Sequence, residues 1–307
     1  MDTPVYQKTV NLEVIRNPME FVMKCERNYS ASLQQIVREI IARPGDNKII
    51  MLSGPSSSGK TTGANMLARF FQKEGYNANV ISLDDFYRNR DDIEPGPDGQ
   101  RDFEVVTALD VDLIQSTLKD LVEKGETMLP YFDFGSGIRT DNFAKLHLDK
   151  GDVVIIEGLH AINPVFTEGL DSDCVIRIYA STRSDILDED GSVLFSKRDV
   201  RFLRRAIRDY NFRSAPVELT LSMWAKVLEG EDKYLAPLID IADYEINSLH
   251  PYEVCIYKET LSQLFAEVPE DSEYYKYAVE LKNKLEKVTR LGKDIIPKSS
   301  LLREFVG

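Results

Sequence analysis

One glycine-rich stretch, Gly54-Pro55-Ser56-Ser57-Ser58-Gly59-Lys60-Thr61-Thr62, has the composition and spacing of a phosphate-binding loop. It directly follows an apolar run and precedes a helical pattern. In such a turn, successive backbone N–H groups converge on phosphate oxygens at the positive end of the helix. The lysine can reach the outer phosphates, and the first threonine hydroxyl suits Mg²⁺. The stretch predicts a nucleoside triphosphate site with these contacts: Gly54, Ser56, Ser57, Ser58, Gly59, Lys60, Thr61 and Thr62.

Two later apolar runs end in carboxylates. One leads into Asp84-Asp85, and the other, Val153–Ile156, ends in Glu157. Ligands gather at the carboxyl ends of parallel strands, so Asp84 or Asp85 would face the terminal phosphate. A carboxylate there can accept the proton of an attacking hydroxyl group or hold a metal through water. Glu157, with Thr61, is the predicted Mg²⁺ contact.

A third charged feature is rich in arginine. Arg201, Arg204, Arg205 and Arg208 recur at helical spacing, and Arg213 follows. Guanidinium groups match phosphate oxygens in geometry, so this segment, about residues 198–216, is predicted to be a mobile lid over a nucleotide. The alternative is a solvated helix face with salt bridges to neighbouring acids.

The elements that must position these residues alternate in type. The predicted helices Thr61–Glu74, Asp110–Lys124 and Asp199–Asp209 lie between apolar runs that read as strands. Alternating strands and helices predict an α/β fold with a mainly parallel, five-stranded sheet covered on both faces, the three-layer P-loop type. The predicted strands are Ile49–Leu52, Ala78–Leu83, Val153–Ile156, Val175–Tyr179 and Ala242–Ile246.

Segments on either side extend this unit. Residues 1–47 read as an extension in which a short extended piece that begins at Asn11 precedes a helix through Phe21 and Ile40. Residues 48–260 form the predicted main domain, and residues 261–307 a helical extension.

Composition limits the classes of partner. The net charge of −13 disfavours nucleic acid, and no apolar run reaches the roughly 18 residues that a membrane helix needs. The start of the sequence lacks the layout of a secretory signal, and the three cysteines form no CxxC pair. We therefore expect a cytoplasmic protein that acts on a small molecule, with a homo-oligomer left open.

The order of the motifs resembles that of the uridine kinase and phosphoribulokinase family. The resemblance spans about residues 48–250 and rests on the phosphate loop and on Asp84–Arg88, Pro130–Phe134, Ile156–Gly158 and Arg204–Asp209. It is closest to bacterial uridine kinase-like proteins in which a synthetase-like region precedes the kinase domain. This sequence has 47 residues there, so we expect no such region.

The resemblance implies specific roles. It selects Asp84 as the base for the acceptor hydroxyl, Lys60, Arg205 and Arg208 as further catalytic groups, and Arg213 as a nucleotide contact. Substrate contacts implied at the acceptor side are Asp84, Tyr131, Asp133 and Arg139. Phe132 is an additional residue relative to the family pattern, Gly137 stands where the family has a histidine, and Ala215 stands where it has an arginine.

The sequence thus predicts an ATP- and Mg²⁺-dependent kinase acting on the 5′-hydroxyl of uridine or cytidine. Two alternatives stay open. One is a kinase of another small alcohol, such as a phosphosugar or a pantothenate-like compound. The other is a non-catalytic regulatory protein that uses nucleotide as a switch.

Overall fold

The computed structural model describes residues 4–45, 48–94 and 101–307. The strands are β1 (Val5–Tyr6), β2 (Lys48–Ser53), β3 (Ala78–Ser82), β4 (Glu126–Asp133), β5 (Ile138–His147), β6 (Val153–Glu157), β7 (Val175–Ser181), β8 (Ile186–Leu187), β9 (Val193–Phe195) and β10 (Tyr244–Asn247). The helices are α1 (Gln7–Arg16), α2 (Pro18–Ile41), α3 (Lys60–Lys73), α4 (Val111–Lys124), α5 (Lys197–Arg213), α6 (Val217–Tyr234), α7 (Glu253–Ala266), α8 (Tyr275–Glu286) and α9 (Arg303–Val306).

Five strands form an all-parallel sheet in the order β10-β7-β2-β6-β3. They are the five strands that the apolar runs predict. The central strand β2 is buried along its whole length. Because the strands are parallel, their carboxyl ends share one edge, where Leu52 and Ser82 both lie opposite Glu157. This edge brings together the loops that carry the predicted site.

Side chains of the sheet alternate between two hydrophobic cores. Ile50 and Leu52 of β2 face the larger core, which also takes residues from α2, α3, α5 and α7. Ile49 and Met51 face a smaller core that includes α4. Burial on both faces explains why the strands are continuous apolar runs, and it confirms the three-layer α/β fold.

The segment before β2 is mostly helical. The prediction of a short extended piece beginning at Asn11 is wrong, because residues 7–16 form α1, which places Val10 and Val14 in the larger core. Tertiary packing here outweighs the weak helical preference of a β-branched run. Helix α2 follows the predicted spacing and starts at Pro18, where Asn17 caps it by accepting from Glu20 N at 3.3 Å.

The segments on both sides of the predicted main domain share its larger core. Helix α8 supplies Leu281 and Leu285, while Leu301 and Phe305 near the end of the chain are fully buried. Glu26 of α2 joins both sides, since Tyr252 Oη and Ser300 Oγ donate to its Oε1 at 2.5 and 2.6 Å. The domain boundaries at residues 47 and 260 therefore stay a prediction. In the structure, the segments before and after the predicted main domain contribute side chains to its larger core.

The arginine-rich segment forms α5. Ser196 and Asp199 make a capping box at its start, and Val200, Leu203 and Ile207 pack into the larger core. Within the predicted lid, residues 198–216, the first solvent-exposed residue is Tyr210. Most of the predicted lid is thus built into the folded body, and its movement stays a prediction.

Among the described residues, none of the helices is both long and apolar enough to span a lipid bilayer.

Candidate active site

The phosphate loop connects β2 to α3 in a tight turn. Ser57 and Gly59 take left-handed φ values of 58° and 84°. Ser58 N donates to Pro55 O at 3.2 Å, and the Lys60 ammonium donates to the same carbonyl at 3.1 Å. The hydroxyls of Ser57 and Ser58 are buried without a hydrogen-bond partner among the described residues. Buried donors of this kind at the start of a 14-residue helix fit a phosphate group.

Helix α5 holds this loop from behind. Arg204 donates to Ser57 O at 3.2 Å and to both oxygens of Glu253, at 2.6 Å and 2.9 Å. Both side chains of that ion pair are fully buried. Arg205 Nη1 donates to Ser56 Oγ at 2.9 Å. The turn is therefore fixed by charge-assisted hydrogen bonds from a neighbouring helix.

The two aspartates after β3 have different surroundings. Asp84 lines the cavity in front of the phosphate loop, and burial of its carboxyl raises the pKa while the nearby Lys60 opposes that rise. Asp85 Oδ1 instead accepts from Phe132 N at 3.3 Å and so anchors the hairpin of β4 and β5. The geometry favours Asp84 over Asp85 as the group that faces a substrate.

Glu157 lies at the end of β6, beside the start of α3. Its Oε1 accepts from Thr61 Oγ1 at 3.1 Å and from Ser82 Oγ at 3.4 Å. Burial raises the pKa of this carboxyl, with Lys60 acting in the opposite direction. A carboxylate and a hydroxyl this close are hard oxygen ligands of the kind that Mg²⁺ takes from protein when phosphates and water complete its shell. Among the described residues, no group of three or more acidic, histidine or cysteine side chains is placed to hold a metal ion.

Arg198 of α5 pairs with the exposed Asp232, and the other five arginines of this helix divide into two groups. Arg201 and Arg204 are engaged by Glu231 and Glu253. Arg205, Arg208 and Arg213 surround the single carboxylate of Asp209 at 3.4, 2.9 and 3.3 Å. Asp209 alone does not balance the three guanidinium groups of the second group, and the carboxylate of Glu104 also attracts Arg205. Burial, with the like charge of Arg208, lowers the pKa of Arg205 and Arg213.

A cavity of about 370 Å³ joins these parts. The predicted residues that line it are Ser56, Ser57, Gly59, Lys60, Thr61, Asp84, Glu157, Arg205, Arg208 and Arg213.

Seven further residues of the cavity wall were not predicted as site residues: Tyr87, Glu104, Gly158, Leu159, Val227, Glu231 and Glu304. Burial raises the pKa of Glu104, opposed by Arg205, and His160 contacts the Glu104 backbone oxygen at 2.8 Å. Tyr87 lies three residues beyond Asp84, which is the one local signal that could have found it.

Three predicted acceptor contacts lie outside this cavity wall. Tyr131 is 45% exposed and packs on Phe143, with ring centroids 5.0 Å apart. Asp133 closes the hairpin turn by accepting from Gly135 N and Ser136 Oγ. Arg139 pairs with Asp110 and Asp141. Their contact with a substrate stays a prediction.

The fold and the site together define a class of protein. A parallel sheet whose central strand leads through a glycine-rich turn with Lys60 and Thr61 into a helix is the arrangement of P-loop nucleotide-binding proteins. Residues 49–254 match the model of the Phosphoribulokinase / Uridine kinase family. The chain belongs to this family and is a P-loop kinase, and membership implies the use of ATP with Mg²⁺.

Individual relatives are more distant. The chain is 26% identical over 197 residues to a uridine kinase of Staphylococcus aureus, which covers 64% of this chain and 84% of that protein. Among solved structures, a possible uridine kinase from Bacillus stearothermophilus aligns with a TM-score of 0.48 at 19% identity, over 70% of this chain and 96% of its own. A D-glycerate 3-kinase from Cryptococcus neoformans aligns with a TM-score of 0.30 at 16% identity, over 88% of both chains.

Proposed function

We propose that this kinase transfers the γ-phosphoryl group of ATP to the 5′-hydroxyl of uridine or cytidine. The observation that carries the phosphoryl-transfer chemistry is the convergence of Lys60, Asp84 and Glu157 on one cavity at the carboxyl edge of the sheet. The pyrimidine nucleoside as acceptor is supported by the family and by the S. aureus relative, which is a uridine kinase.

In this proposal, each side chain has a defined task. The loop amides and Lys60 bind the β- and γ-phosphates. Asp84 accepts the proton of the acceptor hydroxyl. The oxygen of that hydroxyl forms a bond to the γ-phosphorus while the bond between the γ-phosphorus and the bridging β-phosphate oxygen breaks. Arg205, Arg208 and Arg213 stabilise the charge of the phosphoryl group during transfer. ADP is the leaving group, and its β-phosphate keeps the bridging oxygen.

Thr61 and Glu157 are the residues that would hold Mg²⁺. When bound, the ion neutralises charge on the β- and γ-phosphate oxygens. The short Thr61–Glu157 contact orients both ligands on one side of the loop. Their preorganised geometry is the contribution of this chain to the metal site.

A second acceptor class is favoured by a specific observation. Arg139 pairs with two aspartates, and Tyr131 and Asp133 are not among the residues that line the cavity. A small alcohol that needs only Asp84 and Glu104 for its hydroxyls would fit this arrangement. Phosphosugars and pantothenate-like alcohols are therefore the second candidates.

The test is ADP release from Mg-ATP by the purified protein with a panel of acceptors. Uridine or cytidine should stimulate release and yield the 5′-monophosphate. Stimulation by a phosphosugar or pantothenate alone would transfer the assignment to the second class. Binding of Mg-ATP without stimulation by any acceptor would support the regulatory alternative and contradict the kinase assignment.

A further inference from the structure

The tail segment, residues 296–307, lies directly against the phosphate loop. A Cβ placed on Gly59 would be 2.5 Å from Leu301 Cδ1, so the loop glycine and the tail are in close contact. This packing sets residues 302–306 beside the start of α3. The tail thus forms part of the wall around the proposed nucleotide site.

The tail also places a carboxylate at the start of α3. Glu304 Oε2 accepts from Thr62 Oγ1 at 2.7 Å, and Glu304 lines the same cavity as Lys60 and Asp84. Thr62 belongs to the first turn of α3, whose first backbone bond runs from Gly63 N to Gly59 O. The amides of residues 60–62 therefore precede the helical ladder and form its positive end.

Glu304 is held in this position by contacts on both sides of it in the sequence. Arg204, which also supports the phosphate loop, lies over the Phe305 ring with its guanidinium carbon 5.1 Å from the centroid. Asn211 donates to Phe305 O at 3.0 Å. Ser300 is anchored to Glu26. The carboxylate is therefore placed by a buried scaffold.

A helix start that attracts a phosphate attracts any anion, and here the chain supplies one of its own. We propose that Glu304 is an internal anion that lies at the start of α3, beside the phosphate loop, and is displaced from Thr62 when a triphosphate binds. This inference rests on the proposed nucleotide site. It makes Glu304 a determinant of nucleotide affinity, because the approaching phosphate must replace a like charge at the same hydroxyl.

The test is calorimetric titration of Mg-ATP, and separately of inorganic tripolyphosphate, into the wild-type chain and Glu304→Gln. The amide can still accept from Thr62 but lacks the charge. We expect both ligands to bind about five-fold tighter, as removal of one opposing charged contact predicts. Glu270→Gln, which removes an exposed charge that follows α7 in the sequence and does not line the cavity, should leave both affinities unchanged.

The other outcomes separate this inference from the proposed function. Unchanged or weaker binding of both ligands to Glu304→Gln overturns the inference alone, as does weaker ATP binding with unchanged tripolyphosphate binding, which would place Glu304 on the nucleoside. If wild-type protein and both variants bind neither ligand, the nucleotide site falls too. Glu304→Ala, checked by circular dichroism, is the second variant if the glutamine form does not fold, and the same tightening is expected.

Discussion

Neighbouring residues of one type serve different purposes in this site. Asp84 and Asp85 are adjacent, yet one faces the cavity and the other accepts a backbone hydrogen bond from Phe132. The 3₁₀ turn over Leu83–Phe86 separates their directions, with Ser82 Oγ accepting from Asp84 N at its start. One short turn thus divides substrate contact from structural support.

Asp84→Asn should retain nucleotide binding and lose turnover by about 10²–10⁴-fold, the usual contribution of a positioned general base. The amide keeps the shape but cannot accept the proton. Steady-state ADP release and calorimetry with Mg-ATP measure the two effects. Asp85→Asn is the matched control and should keep most of the turnover; an active Asp84→Asn protein would contradict the assignment of the base.

At Glu157, the charged carboxylate proposed to hold Mg²⁺ should lower the stability of the fold. Burial raises the pKa of its carboxyl above the ordinary 4.5, so the folded state holds the proton more tightly than the unfolded chain does. The contribution of this group to stability is present below pH 4.5 and is lost as the pH rises through the raised pKa. Without nucleotide at pH 7, Glu157→Gln should therefore be more stable than wild type, by roughly 0.5–2 kcal/mol.

Thermal unfolding at pH 7 and pH 4 checks this sign. The difference between Glu157→Gln and wild type should shrink at the lower pH. The exposed Glu123, replaced by Gln, should change stability little at either pH. A glutamine variant that is less stable at pH 7 would show that the hydrogen bonds of the charged form outweigh its burial.

At the residue scale, the sequence predicts what has a local pattern. The phosphate loop, Asp84 and Glu157 each follow an apolar run, so strand order alone brings them to one edge. Glu104 and Glu304 come from a connecting loop and from the tail, and their approach depends on long-range packing. No spacing rule in the sequence indicates it.

At the scale of elements, α5 combines support and chemistry on one helix. Arg204 faces Glu253 and the loop backbone, whereas Arg208 faces the cavity. The sequence spacing predicts that the arginines share a face. It does not predict which arginines form ion pairs with acidic residues of other helices, because Glu231 lies on α6 and Glu253 lies on α7.

Arg204→Met should destabilise the protein by about 3–5 kcal/mol, because it leaves the buried Glu253 without its partner. Arg198→Met on the same helix is the control. Its partner Asp232 is exposed, so the expected loss is about 0–1 kcal/mol. Urea denaturation measures both, and equal losses would contradict the difference in burial.

The hairpin shows where pattern reading fails. The register shifts between Leu129 and Tyr131, and Phe132 is the side chain that turns inward, with its ring 5.6 Å from that of Tyr87. In a regular strand, side chains of successive residues point to opposite faces of the sheet. The register shift in this hairpin determines which of the two residues, Tyr131 or Phe132, packs against the rest of the protein. The additional Phe132 lies next to this irregularity.

At the scale of the whole molecule, the flanking segments are part of one core. Residues of α1, α2, α8 and the tail all enter the larger core around the sheet. The sequence identifies these segments as helical extensions, but their partners are distant in the chain. Glu26 of α2 links the tail to the core through Ser300, and Asn11 of α1 bonds to the backbone of Lys287 and Thr289 just after α8.

We therefore expect equilibrium unfolding as one cooperative transition for the full chain. Trp224, the only tryptophan in the sequence, is 6% exposed on α6 and packs on Phe202, so its fluorescence reports on the larger core. Urea midpoints from fluorescence and far-ultraviolet circular dichroism should coincide. Separate midpoints would show that an extension unfolds independently.

The hydrogen bond from Arg204 to the Ser57 carbonyl should affect the rate at which a nucleotide associates with the phosphate loop. Ordering a flexible backbone costs about 1–2 kcal/mol per residue, and a loop that must first be ordered adds a slow step to association. Here the left-handed Ser57 is already fixed from behind by a guanidinium that is itself buried. Diffusion and charge attraction, rather than rearrangement of the turn, should govern how fast a triphosphate is captured.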